Sequence, residues 1–103
     1  MTAICDIYQP SIDEALKIVP DAKVYNDYRK LLVDKDIDAV VIAVPLDQHY
    51  HIAMDAFDAG KDVFCEKSIC YDLWQCHDVY QKYKAGSNIF FVGQQRLFDP
   101  RYL

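Results

Sequence analysis

Residues 39–44 read Ala-Val-Val-Ile-Ala-Val, six apolar residues with no polar interruption, closed by Pro45. A strand with one wet face alternates apolar and polar residues. A continuously apolar run marks a strand buried on both faces of a parallel sheet. Toward the C-terminus, the spacing of Ile52, Ala53, Ala56 and Phe57 predicts a helix from about residue 48 to residue 59, stopped by Gly60. Asp62-Val63-Phe64-Cys65 then reads as a second buried strand. Asp72 caps a helix bearing Leu73, Cys76, Val79, Tyr80 and Tyr83, Gly86 lies past its end, and Ile89-Phe90-Phe91-Val92 is a last strand.

Toward the N-terminus the same alternation holds. Asn26 is placed to cap a helix with Tyr28, Leu31 and Leu32 on one face, and Lys23-Val24-Tyr25 precedes it as a short strand. Ser11 stands three residues before Glu14, a capping-box pattern, ahead of Ile12, Ala15, Leu16 and Val19 at helical spacing, with Pro20 as the stop. Ala3-Ile4-Cys5 is a strand that runs into Asp6. Strand and helix alternate through nine elements, which predicts an α/β fold: a doubly wound parallel sheet with helices on both faces, in a single domain over residues 1–103.

Composition narrows the function. The 103 residues are 52% apolar and 26% charged, a globular balance, with a net charge of −5. No block of Lys or Arg is present, which argues against a nucleic-acid surface. No apolar run reaches the roughly 20 residues of a membrane span, and no signal-like segment opens the chain, so a cytoplasmic protein without a membrane partner is the expectation. Cys5, Cys65, Cys70 and Cys76 include no Cys-x-x-Cys pair and read as core and surface thiols rather than metal ligands.

Open α/β sheets bind ligands beyond the carboxyl ends of their strands. The residues at those ends are Asp6, the stretch from Pro45 to His49, Glu66-Lys67, and Gln94-Gln95-Arg96. A carboxylate at the position of Asp6 suits the two hydroxyls of an adenosine ribose and repels a 2′-phosphate, which favours NAD over NADP; its plain alternative is a turn-forming Asp. Lys67 is a point charge able to hydrogen-bond a substrate hydroxyl, or simply a partner for Glu66. His49 and His51 open a helix, where either could be a surface imidazole. No Ser-His-Asp set, phosphate-binding P-loop or metal-ligand helix occurs.

Together these residues resemble the Gfo/Idh/MocA oxidoreductases. The resemblance rests on Val41-Ile42-Ala43-Val44-Pro45, then His49, then Ala56 to Gly60, then Val63-Phe64-Cys65-Glu66-Lys67. Cys5-Asp6 and Tyr25-Asn26-Asp27-Tyr28 extend it upstream, and Val92-Gly93-Gln94-Gln95-Arg96 with Pro100 extends it downstream. It implies a Rossmann domain binding NAD, a second α/β domain completing the substrate pocket, and a homo-oligomeric enzyme. The reaction implied is hydride transfer between the dinucleotide and a sugar, cyclitol or related polyol. Within it, Lys67 takes the catalytic position, polarising or deprotonating the hydroxyl, and Glu66 lies near the nicotinamide. Asp6 contacts the ribose, Pro45 and His49 shape the loop beside the cofactor, and Arg96 lies toward the substrate. The family also includes non-catalytic dinucleotide sensors and NAD-dependent glycoside hydrolases, and both stand as alternatives.

Three departures from the family pattern are visible. No Gly-x-Gly-x-x-Gly occurs, so the expectation is a partial domain lacking its first strand and phosphate loop, and unable by itself to hold NAD tightly. Leu46 stands where the family often has Asn, and Ser68 replaces the proline of Glu-Lys-Pro.

Overall fold

The computed structural model describes residues 1–102. The chain divides into two compact units, the first spanning Met1–Ile37 and the second beginning at Asp38.

The first unit holds strands β1 (Ala3–Cys5) and β2 (Lys23–Tyr25) and helices α1 (Gln9–Ile18) and α2 (Tyr28–Leu32). The strands pair in parallel, Ile4 opposite Val24, and the buried residues of the unit are Ile12, Leu32 and Ile37. Both expected caps move. Helix α1 begins at Gln9, two residues before Ser11, because Pro10 falls in its first turn, where a missing N–H costs nothing. Helix α2 is capped by Asp27, whose carboxylate accepts the Arg29 N–H at 2.9 Å, rather than by Asn26. Asn26 instead lies 3.5 Å from the Asp6 carbonyl. Lys23 Nζ donates to Asp34 and Asp36 at 2.8 and 2.9 Å, and the Tyr25 hydroxyl donates to Asp34 at 2.6 Å, tying β2 to the turn after α2.

The second unit is a three-stranded parallel sheet, β3 (Ala39–Ile42), β4 (Asp62–Glu66) and β5 (Phe90–Gly93), with β4 central. Helices α3 (Leu46–Asp58) and α4 (Leu73–Ala85) supply the crossovers. Two cross-strand rows, Val40–Val63–Phe90 and Ile42–Cys65–Val92, point toward the helices. Phe57 of α3 meets Phe90 edge-on at 5.3 Å, and Tyr83 of α4 closes on the same ring at 5.9 Å. Ala53, Ala56 and Val79 lie fully inside this layer.

The opposite face carries the row Val41–Phe64–Phe91, and here the structure corrects the expectation for residues 39–44. Val41 is 68% exposed, so β3 is buried on one face, and its pairing stops at Ile42. The apolar run registers what suits the strand, not what covers it in this structure. The cap of α4 is as read: Asp72 and Gln75 form a reciprocal capping box. Gly60 ends α3 with φ +71°, a left-handed conformation natural to glycine.

Candidate functional site

The polar residues singled out at the strand ends fall into a part on each unit. In the first, Asp6 follows β1 directly. Its Oδ1 accepts the Tyr8 N–H at 2.9 Å, which bends the chain toward α1. The turn-forming role is therefore present, and the other carboxylate oxygen has no hydrogen-bond partner among the described residues.

In the second unit, β4 delivers Glu66 and Lys67. Lys67 is exposed, and its Nζ has neither an ion pair nor a hydrogen bond among the described residues, so the pairing with Glu66 weighed from sequence is not made. Glu66 is half-buried. Its Oε2 lies 3.3 Å from the Lys67 backbone N–H, and the carboxylate stands over Gly93 of the adjacent strand. A Cβ placed on Gly93 would lie 3.0 Å from Phe64 Cζ and 3.3 Å from Glu66 Oε1. Gly93 therefore admits the Phe64 ring and the Glu66 carboxylate across its face. Sequence reasoning missed this contact, although a lone glycine inside a strand pattern is the signal of such a close approach.

Pro45 is the N-cap residue of α3, and His49 lies one turn later. His49 is not a surface imidazole. It is 2% exposed, and its two ring nitrogens contact two backbone carbonyls, Ser68 O at 2.7 Å and Val44 O at 2.9 Å. A direct hydrogen bond from His49 to a cofactor, one form of the expectation, has no free nitrogen to use; shaping the loop remains open to it. His51 is exposed, its ring in edge contact with Tyr50. The Lys67–Ser68 peptide is cis. Cys70 and Cys76 share a thiol hydrogen bond beyond this corner, and burial, then Cys76, push the Cys70 thiol up. Burial, then Glu66, pushes the Cys65 thiol up to about 11.

Arg96 occupies a 3-10 turn, Gln95–Phe98, after β5, its guanidinium 5.2 Å from the Tyr102 ring centroid. A shallow depression lined by Tyr80, Tyr83 and Asn88 lies where α4 leads into β5, at the amino ends of the strands and so away from these groups.

Parallel strands joined by helical crossovers, with polar groups beyond their carboxyl ends, define the open α/β class of protein. Residues 1–94 match the family described as "Oxidoreductase family, NAD-binding Rossmann fold", and the chain belongs to this Gfo/Idh/MocA family. It is 35% identical to inositol 2-dehydrogenase of Salmonella typhimurium, over 100% of this chain and 31% of that protein. It is 36% identical to the inositol 2-dehydrogenase/D-chiro-inositol 3-dehydrogenase of Lactiplantibacillus plantarum, over 100% of this chain and 30% of that protein. Scyllo-inositol dehydrogenase from Lactobacillus casei, solved with bound NAD(H) and scyllo-inositol, superposes with a TM-score of 0.91 at 31% identity, covering 99% of this chain and 30% of that one. The chain thus spans about three-tenths of the length of the relatives it matches. Among the described residues, no helix is long and apolar enough to cross a membrane.

Proposed function

We propose that residues 1–103 supply part of the dinucleotide-binding domain of an NAD-dependent dehydrogenase acting on a cyclitol or related polyol. The observation that carries this reading is the unpaired Lys67 amine at the carboxyl end of the central strand β4, in a chain whose relatives are named inositol dehydrogenases. That the family match runs through both compact units supports treating them as parts of a single domain.

The residues present fit a dinucleotide in part. The open oxygen of Asp6 accepts from the ribose hydroxyls, and its charge disfavours a 2′-phosphate, which makes NAD the preferred form. The chain contains no glycine-rich turn to cradle the pyrophosphate, so alone it binds NAD more weakly than micromolar. When bound, the nicotinamide accepts a hydride from the substrate carbon. As the hydride leaves, the unprotonated Lys67 amine accepts the proton of the hydroxyl on that carbon, so the products are the ketone, NADH and the Lys67 ammonium. Glu66 sets the Lys67 backbone through its contact with the amide and lies on the nicotinamide side. Pro45 directs the first turn of α3 past the same end of the sheet, and Arg96 lies toward the substrate.

The test is Lys67→Ala in the full-length protein that carries these residues, assayed for NADH formation with myo-inositol and related polyols. The expected result is a fall in kcat of about 100-fold or more with NAD affinity retained. Unchanged turnover refutes the assignment. In the same protein, Asp6→Ala is expected to weaken NAD binding and narrow its preference over NADP.

A further inference from the structure

The imidazole of His49 is almost completely buried, yet both of its nitrogens face acceptors. Ser68 O lies 2.7 Å from Nδ1 and Val44 O lies 2.9 Å from Nε2. A carbonyl oxygen has lone pairs and no hydrogen to give. A neutral imidazole carries one N–H and one bare lone pair, so in either tautomer one contact would set two lone pairs against each other inside 3 Å. Only a ring with hydrogens on both nitrogens satisfies both contacts, and both distances lie in or beside the range of charge-assisted N–H···O bonds.

We infer that His49 is a two-donor latch: it bridges the ends of β3 and β4 through Val44 and Ser68 and thereby positions the backbone next to Lys67. The two carbonyls it joins are 24 residues apart in sequence, and each belongs to a segment just past a strand end, where ladder pairing no longer holds the chain. The significance for catalysis rests on the role proposed above for Lys67; the bridge itself does not.

Apart from Lys67, which stands unpaired beside Ser68, the charged groups nearest the ring have partners of their own. On α3, Asp47 accepts from Gln48, and Asp58 pairs with Lys82 of α4. On α4, Asp72 closes the capping box and Asp78 accepts from the Tyr50 hydroxyl. On β4, Glu66 faces the Lys67 amide, and Cys65 is a buried thiol. No carboxylate bonds to the ring among the described residues, so the two carbonyls are what hold it. Burial and the positive end of the α3 dipole oppose a cation at this position, while Asp47 in the same turn and the two direct hydrogen bonds favour it.

Two measurements on this chain decide the matter. Side-chain nitrogen NMR at neutral pH distinguishes a nitrogen that bears hydrogen from one that does not. Two hydrogen-bearing nitrogens on His49 are expected, with the signal assigned by its loss in His49→Gln. A bare nitrogen on His49 overturns the inference. Where His49→Gln folds poorly, replacing the other two histidines, His51 and His77, by Gln leaves the His49 signal as the one that remains, so the test survives.

The second measurement compares thiol alkylation site by site. Cys70, buried two residues beyond Ser68, is expected to label about tenfold faster or more in His49→Gln, the ratio set by losing a charge-assisted hydrogen bond, while Cys65 inside β4 stays at its wild-type rate. Equal acceleration of both sites means general loosening, and no acceleration means that the ring does not hold the corner; either result overturns the latch. Neither readout involves turnover, so failure of the dehydrogenase reading would leave both intact.

Discussion

Replacing Gly93 by alanine is expected to weaken the second unit by about 1 kcal/mol, within a span of about 0–2.5 kcal/mol. The added Cβ would lie 3.0 and 3.1 Å from two carbons of the Phe64 ring and 3.3 Å from a Glu66 carboxylate oxygen, so those groups must yield by a few tenths of an ångström. The ring is restricted by its stack on Phe91, with centroids 5.5 Å apart and planes 19° apart, and Phe91 in turn abuts Phe98 at 5.9 Å. Overpacking of this kind costs about 1–3 kcal/mol. Alanine returns about 0.5–1 kcal/mol by restricting the unfolded chain, which leaves the net figure. At this chain length each kcal/mol lowers the melting temperature by about 4–8 °C.

Urea unfolding followed by circular dichroism measures the change. The decisive control is a double-mutant cycle with Phe64→Leu, which removes the ring edge. The cost of Gly93→Ala should shrink by half or more in that background. A Gly93→Ala protein as stable as wild type, or a cost unaltered when Phe64 is leucine, would refute the close-approach reason for glycine beside Glu66.

Three further outcomes are expected. Gly60→Ala should cost about 1 kcal/mol and Gly60→Asn less, because the +71° φ strains an L side chain although no atom lies within 4 Å of the new Cβ; thermal melts of the two variants check the order. Asp72→Ala should cost about 1 kcal/mol by opening the reciprocal cap of α4, read as a lower urea midpoint. The Lys23 ammonium and the Tyr25 hydroxyl hold the Asp34 carboxyl well below its ordinary value of 3.8, so its contribution is complete above that value and is lost as the pH falls below it. Acid titration of stability should therefore be steeper between pH 3.8 and the folded-state value in wild type than in Asp34→Asn.

Much of the architecture is legible in the sequence, because the signals that encode it are local. The strands at residues 3–5 and 23–25, the capping box at Asp72, the stop at Gly60 and the polar residues beyond each strand are all written within one turn or a few alternating positions. The misplaced caps are local too, but there two neighbouring residues compete. Pro10 overrides Ser11 because its fixed φ favours the first turn, and Asp27 rather than Asn26 reaches the open amide.

Tertiary structure alone decided what meets across the sheet. That His49 turns inward to Ser68, that Lys67 remains unpaired beside Glu66, that Gly93 lies beneath a ring and a carboxylate from the next strand, and that Val41 faces outward all depend on partners 19 or more residues away, or on their absence. Periodicity states which side of an element is apolar. It carries no record of which distant group arrives there, because that contact forms only once parallel pairing has set the register.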